Sequence, residues 1–160
     1  MFKKIATGLL AAAATTALAL SLPTAAQASG FDHHRDSSDS WGPVYAKFGL
    51  AKAEGWIGVD WNRRGTHNEV SVAGRLYDRD NRTYRRGGKC AFVTFQAREF
   101  RSGWDTVYTD KYCGYPGFER FRFEVEDVSA VRVQVCQAGP QHNAWPTNCG
   151  RWDYIYSARH

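Results

Sequence analysis

The fold is decided by two alternating runs that lie close together in the chain, Phe121-Arg-Phe-Glu-Val125 and Val131-Arg-Val-Gln-Val-Cys136. Apolar and polar residues alternate in both runs, which is the period of a β-strand and not that of a helix. A strand of this kind turns its apolar side chains to a core and its polar side chains to water, as strands of antiparallel sheets do. The two runs therefore predict an antiparallel β-protein.

The same period of two continues through most of the chain from Trp41 onward. It predicts about eight strands, over residues 44–52, 56–61, 69–77, 91–98, 104–112, 120–126, 131–136 and 152–157. Gly, Pro, Asn and Asp mark the turns between these strands. We therefore expect an all-β fold, a single antiparallel β-sandwich with jelly-roll or immunoglobulin-like topology. A barrel of six to eight strands is the alternative.

The first 28 residues have the three parts of a secretory signal peptide. A basic head precedes an apolar run over residues 5–22, and Ala26-Gln-Ala28 supplies the small residues that a signal peptidase reads. A membrane anchor is the alternative, but the run is rich in Ala and Thr and a cleavage site follows it. We expect residues 1–28 to be removed, residues 29–40 to form a disordered polar leader, and residues 41–160 to form the β-sandwich domain.

The charge of the exported part is weak evidence for any partner. The chain has 21 Lys and Arg residues and 16 acidic residues, and two lysines lie in the signal, so cleavage would leave a net charge of +3. A nucleic-acid binder usually has a clustered basic face, whereas these charges alternate along the predicted strands. We therefore expect no nucleic-acid partner. Because no second long apolar run follows the signal, we also expect no membrane insertion after cleavage.

All four cysteines lie after the signal, at Cys90, Cys113, Cys136 and Cys149. An even number of cysteines in an exported chain indicates disulfide bonds. Three pairings are possible, and we favour Cys90–Cys113 and Cys136–Cys149 because each pair brackets a local unit. A zinc site is the alternative, but such sites usually bring cysteines in close pairs, which this chain lacks. We expect no metal and no cofactor.

Several segments carry a resemblance to known proteins, namely Trp41-Gly-Pro-Val-Tyr45, Gly49-Leu-Ala-Lys-Ala-Glu-Gly55, Val72-Ala-Gly-Arg-Leu-Tyr-Asp78, Gly88-Lys-Cys-Ala-Phe-Val93, Tyr112-Cys-Gly114 and Val131-Arg-Val-Gln-Val-Cys136. In these strand and cysteine patterns the chain resembles small secreted disulfide-bonded β-sandwich proteins of actinobacteria. The resemblance extends over most of the chain after the signal. It implies export and a disulfide-bonded β-sandwich, and it implies no activity and no site residue.

Two groups of residues contain side-chain types that hydrolases use in catalysis. Glu124 and Glu126 share one strand face about 7 Å apart, a separation compatible with the carboxylate pair of a glycosidase. Arg120 and Arg122 share that face, however, and favour a surface ladder of opposite charges.

The second group consists of His67, Glu69 and either Arg63 or Arg64, which are the residue types of a small secreted ribonuclease. Their spacing matches no known motif, so a solvated turn is the alternative. No Gly-x-Ser-x-Gly, phosphate-loop or His-Glu-x-x-His motif is found in the chain. The sequence therefore leans against an enzyme without excluding one.

Aromatic residues are more numerous than the predicted core requires, with six Trp and eight Tyr in the chain. Flat rings on a β-sandwich surface can stack on sugars or enter a partner's pocket, because they supply large contact area at low entropic cost. The alternative is that they close the open ends of the sandwich. Trp145 lies beside Pro146 in the loop between Cys136 and Cys149, where a disulfide would present the ring with little ordering cost. Our candidate binding residues are Trp145, Trp104, Tyr115 and His142.

These features favour a secreted, extracellular, non-catalytic binding or interaction module. Its expected partner is a cell-envelope glycan, such as an envelope polysaccharide, or another secreted protein. One alternative is a protease-inhibitor-like or toxin-like protein whose stapled loop enters the cleft of a target. Another is a small secreted hydrolase, either a nuclease or a glycosidase.

Overall fold

Nine β-strands make up most of the part of the protein that the structure, a computed structural model, describes, which is residues 36–158. The strands form two antiparallel sheets, two disulfide bonds lie at the second sheet, and this part of the chain contains no α-helix. The predicted all-β sandwich is therefore confirmed. The predicted signal peptide, residues 1–28, and residues 29–35 of the predicted leader lie outside the described residues.

The strands follow one another with short connections. In chain order they are β1 (Ser37–Tyr45), β2 (Ala51–Trp61), β3 (Asn68–Asp78), β4 (Cys90–Glu99), β5 (Trp104–Tyr112), β6 (Phe118–Glu126), β7 (Val128–Ala138), β8 (Pro146–Thr147) and β9 (Asp153–Ser157). Single 3-10 turns at Lys47–Gly49 and Tyr84–Arg86 lie in two of the loops.

The first sheet has the order β1-β2-β3-β6, and the second has the order β5-β4-β7, with both β8 and β9 paired to β7. Along the described strands the chain crosses between the sheets three times, from β3 to β4, from β5 to β6 and from β6 to β7. The loops collect at two ends. We call one the disulfide end (residues 46–50, 79–89, 113–117 and 139–149) and the other the opposite end (residues 62–67, 100–103 and 127).

The core lies between the sheets and contains the inward-facing side chains that the alternating pattern predicts. Three rings join the two sheets at its centre: Trp41 of β1, Phe121 of β6 and Phe95 of β4, all buried. The ring centroids of Trp41 and Phe95 are 5.5 Å apart, and those of Phe95 and Phe121 are 5.4 Å apart. Each such pair contributes about 0.5–1.5 kcal/mol beyond the burial of its area.

The start of the domain differs from the prediction. The predicted strand over residues 44–52 is wrong, because the chain turns between Tyr45 and Ala51 at Phe48 and Gly49, whose φ angles are 67° and 68°. β1 also begins at Ser37, so residues 37–40 of the predicted leader are a strand paired with β2. Backbone pairing at a sheet edge needs no apolar side chain, which is why the polar run carried no strand signal.

Both predicted disulfides are confirmed. Cys90 opens β4 and is bonded to Cys113, which directly follows β5. Cys136 lies on β7 and is bonded to Cys149, which follows the short strand β8. Each bond holds a loop of the disulfide end against a strand of the second sheet. In the chain-entropy account, closing a loop of this length stabilises the folded protein by roughly 3 kcal/mol.

A buried carboxylate fixes the loop between β3 and β4. Asp80 is 3 % exposed. It accepts hydrogen bonds from Arg82 Nε and Nη2, both at 2.8 Å, from the Lys89 backbone N–H at 3.0 Å and from Gln137 Nε2 at 3.1 Å. The Arg82 hydrogen bond is the main reason why the pKa of Asp80 lies well below its ordinary value.

The neighbouring Asp78 accepts the Gly114 N–H at 3.1 Å, and burial raises the pKa of this carboxyl.

We predict that Asp80→Asn lowers the free energy of unfolding at pH 7 by roughly 2–3 kcal/mol, because charge-assisted hydrogen bonds to a buried group are lost. A depressed pKa stabilises the fold above the unfolded value of about 3.9, and this stabilisation is lost as the pH falls through the folded pKa. The gap between wild type and variant should therefore narrow from pH 7 to about pH 2.5 in thermal unfolding followed by circular dichroism. The exposed Asp105→Asn is the control, and an Asp80→Asn gap that is constant with pH would contradict this assignment.

Candidate ligand-binding groove

The four binding residues that were predicted from the sequence do not form one site. Tyr115, His142 and Trp145 lie in two loops of the disulfide end, whereas Trp104 begins β5 near the opposite end of the sandwich. Within residues 36–158, no hydrogen bond or ring contact joins Trp145 to Tyr115 or to Trp104. Trp145 and Trp104 therefore belong to different surfaces.

Trp145 is displayed to solvent, with 87 % of its surface exposed. Its loop is tied down on both sides. Lys111 Nζ donates to the Gln141 carbonyl at 2.7 Å, and the Lys47 backbone N–H donates to the Asn148 carbonyl at 2.8 Å. The ring is therefore presented by a held loop and does not fold back on the core.

The other two loop residues are exposed as well. Tyr115 has 52 % of its surface exposed, in the turn that follows Cys113. His142 lies with its Nδ1 atom 2.9 Å from the Asn143 side-chain oxygen, so its nearest partner is its own neighbour in the loop. Neither residue adds a recess to the loop that carries Trp145.

Trp104 is occupied by contacts within the protein. The guanidinium carbon of Arg132 lies 4.1 Å from the Trp104 ring and 4.5 Å from the Trp152 ring, and Tyr154 meets Trp104 edge-on at 5.5 Å. Arg132 Nε and Nη2 donate to the Gln96 side-chain oxygen at 3.0 and 2.7 Å. The Arg98 guanidinium carbon also lies 5.3 Å from the centre of the Trp104 ring, so this cluster occupies the ring and covers part of the outer face of the second sheet.

The residues of the hydrolase hypothesis lie at the opposite end. His67 Nδ1 is 2.9 Å from Asp127 Oδ1, so the partner of the histidine is Asp127 and not Glu69. A recess of about 390 Å³ surrounds the pair and also contains Asp60, Glu69 and Glu126. Among the described residues, no Ser, Thr or Cys lines it, so the recess offers His67 and four carboxylates but no hydroxyl or thiol nucleophile.

Glu124, from the predicted glycosidase pair, belongs to the surface charge ladder that the sequence indicates. Glu124 Oε1 accepts a hydrogen bond from Arg122 Nη2 at 2.9 Å on the exposed face of β6. This pairing occupies the carboxylate that a glycosidase would need.

An open groove of about 480 Å³ crosses the outer face of the first sheet. Its residues fall into three groups: a wall formed by Trp56, a floor of small residues, and a side that carries charged groups. The floor includes Gly42, Gly55, Ala73 and Gly74. This floor presents the backbone of the glycines and the methyl group of Ala73, so a flat ligand can lie close to the sheet.

The floor is built from glycine because the packing leaves no space for a side chain. Gly55 and Gly74 are paired across β2 and β3. A Cβ atom on Gly55 would lie 2.0 Å from the Ala73 carbonyl oxygen. A Cβ on Gly74 would lie 2.7 Å from Phe121 Cζ and 2.9 Å from Trp41 Cζ2, both in the core. Any larger residue at either position must displace its neighbours.

Trp56 stands on the outer face of β2 with 63 % of its surface exposed. Its carbonyl accepts a hydrogen bond from the indole Nε1 of the buried Trp41 at 3.1 Å, which fixes the backbone beneath the ring. Trp56 makes no ring–ring or ring–cation contact with another residue in 36–158, so most of its ring is available to a ligand. Sequence reasoning missed this residue, although the alternation of Lys52, Glu54 and Trp56 on β2 already placed it on the wet face.

Opposite Trp56, the side of the groove carries charge. Glu54 on β2, Arg75 on β3 and Arg120 on β6 lie in one row across the sheet. Glu54 Oε1 accepts a hydrogen bond from Lys52 Nζ at 2.8 Å, and this bond is the main reason why the pKa of Glu54 is lowered. The Lys52 ammonium also lies 4.1 Å from the centre of the Tyr77 ring.

The comparisons with known proteins add no relative. No family model, curated protein or solved structure matches this chain. The resemblance to small secreted actinobacterial proteins stays a prediction. The two disulfides are compatible with an extracellular protein, and no helix within residues 36–158 has the length and apolarity to cross a membrane.

We predict that Gly74→Ala lowers the free energy of unfolding by roughly 1–3 kcal/mol, because the new methyl group overlaps the rings of Phe121 and Trp41. Gly58→Ala on β2 is the matched control, since a Cβ there meets nothing within 4 Å. Its stability should stay within about 1 kcal/mol of wild type or rise slightly. Urea unfolding of both variants tests this, and equal losses would show that the groove floor is not tightly packed.

Proposed function

We propose that this chain is a secreted, non-catalytic module that binds an extended glycan in the groove on its first sheet. The observation that carries the proposal is the exposed ring of Trp56 beside a floor of small residues, Gly42, Gly55, Ala73 and Gly74. An aromatic ring next to a bare, flat surface is an arrangement that fits the apolar face of a sugar ring.

The shape of the groove supports a polymer over a small molecule. Pockets for small ligands usually enclose most of the ligand surface, whereas this groove lies open on the outer face of a sheet. A sugar chain can lie along such a surface and make contacts at several successive rings. The polar groups of Ser40, Glu54 and Arg75 at the groove are suited to hydrogen bonds with sugar hydroxyls.

The groove also supports binding without hydrolysis. Most glycosidases use two carboxylates on either side of the scissile bond, and Glu54 is the one carboxylate among the groove residues in 36–158. Its oxygen is already engaged by Lys52 at 2.8 Å. A second acid that could complete a catalytic pair is thus missing from the described part of the groove.

Export is supported by two independent features of the chain. Residues 1–28 have the parts of a signal peptide. Both pairs of cysteines are bonded, and disulfides persist chiefly in oxidising compartments outside the cytoplasm. An envelope or extracellular polysaccharide is the glycan that an exported module would meet first.

Trp145 supports a second candidate function, the binding of another secreted protein. It is the most exposed of the large apolar side chains in residues 36–158, at 87 %. Its loop is closed by the Cys136–Cys149 disulfide, which reduces the ordering cost of docking into a cleft. This geometry is the one expected for the inhibitor-like or toxin-like alternative.

Affinity electrophoresis in gels that contain soluble polysaccharides separates these functions. We predict that Trp56→Ala weakens polysaccharide binding by about 30-fold, the loss expected when a hot-spot aromatic worth about 2 kcal/mol is removed. Trp145→Ala is the matched control, because it removes an even more exposed indole from a different surface, and it should bind like wild type.

Three results would overturn the proposal. Wild-type protein could bind no polysaccharide in a broad panel, Trp56→Ala could bind as well as wild type, or Trp145→Ala alone could lose binding. In the last case the ligand surface is the disulfide end. Thermal unfolding of both variants verifies that they are folded, which the exposure of both side chains leads us to expect.

A further inference from the structure

Two arginines face each other in the groove. Arg75 on β3 and Arg120 on β6 are paired in register, and both line the groove. Like charges directly opposite each other on neighbouring strands are destabilising. Neither guanidinium has an ion pair within 4.0 Å among residues 36–158. Glu54, the register partner of Arg75, interacts electrostatically with it, so the pair carries a positive charge that the described residues offset only in part.

The surrounding contacts hold the two guanidinium groups and offset their charge only in part. The Phe118 ring lies 4.9 Å from Arg75 Cζ and 5.9 Å from Arg120 Cζ, so one aromatic ring supports both cations. Glu54 is the register partner of Arg75 on β2, but its oxygen accepts the Lys52 hydrogen bond. Three cations and one carboxylate thus meet at this side of the groove.

The next row of the same sheet shows the contrast. Arg122 follows Arg120 on the outer face of β6, and it is paired with Glu124 at 2.9 Å. Arg120 on the same strand and Arg75 on β3 lack such a partner. The guanidinium groups without an ion pair therefore lie in the row of Glu54, beside the row of Trp56.

We infer that the groove selects an anionic glycan, whose sugar rings carry a carboxylate or a phosphate group. This inference rests on the function proposed above. A guanidinium presents a planar fork of donors that binds either group through two parallel hydrogen bonds. Trp56 and Glu54 are two residues apart on β2, so the aromatic row and the cationic row are separated by about 7 Å along the sheet. A sugar on Trp56 therefore has its neighbouring substituents within reach of Arg75 and Arg120.

The test compares neutral and anionic polysaccharides that share the same backbone. The probes are polygalacturonate and its full methyl ester, together with hydroxyethyl, carboxymethyl and phosphorylated cellulose. We expect wild type to bind at least one anionic form tenfold or more tightly than its neutral counterpart in affinity electrophoresis at 150 mM NaCl. The carboxymethyl and phosphate forms show which anion the arginine pair prefers.

Matched double variants separate this site from general attraction to polyanions. Arg75→Gln/Arg120→Gln should lose at least tenfold in binding to the anionic form and change binding to the neutral form less than twofold. Arg85→Gln/Arg86→Gln removes the same charge from exposed positions at the disulfide end, and it should bind like wild type. Arg122→Gln is the control on the same strand, and it too should bind like wild type.

The failure of this inference differs from the failure of the proposed function. Equal binding of neutral and anionic forms, with loss in Trp56→Ala, overturns the anion selectivity and leaves glycan binding intact. Equal losses in the two double variants also overturn it, because the attraction is then unspecific. Binding of no form overturns both proposals.

Discussion

The burial of Trp41 between the two sheets is the contact on which the rest of the structure depends. Its ring meets Phe95 of the second sheet and Phe121 of the first. Its indole N–H leaves the core and donates to the carbonyl of Trp56, while its edge lies where a side chain on Gly74 would be. One residue thus joins the sheets, sets the level of the groove floor and fixes the backbone under the exposed ring. The core and the groove are in this sense one packing arrangement.

Much of the fold could be predicted from the sequence because antiparallel strands with one wet face leave a period of two. The runs around Phe121–Val125 and Val131–Cys136 are strands as expected, and both cysteine pairs join the local units that they bracket. The start of the domain could not be predicted in the same way. The serines of β1 are held by backbone pairing at an edge, and backbone hydrogen bonds leave no mark on side-chain periodicity.

The candidate site was harder to predict, for two physical reasons. A ring in a polar loop such as Trp145 stands out in a sequence, whereas the ring of Trp56 lies inside a strand and resembles a core residue until its face is assigned. The groove floor depends on contacts between residues far apart in the chain, such as Gly55 with Gly74 and Gly74 with Phe121. Trp104 is the opposite case, because the sequence predicts an available ring and the structure covers it. Its partner Arg132 lies on another strand and contacts the ring.

The most direct test of the groove as the ligand site is an NMR titration of the tryptophan indole N–H resonances. The chain has six tryptophans, so each surface carries its own probe: Trp56 in the groove, Trp145 at the disulfide end, and Trp104 with Trp152 on the second sheet. Addition of an oligosaccharide from the polysaccharide that binds best should shift the Trp56 signal progressively and leave the Trp145 signal in place. A shift at Trp145 with an unchanged Trp56 signal would contradict the account.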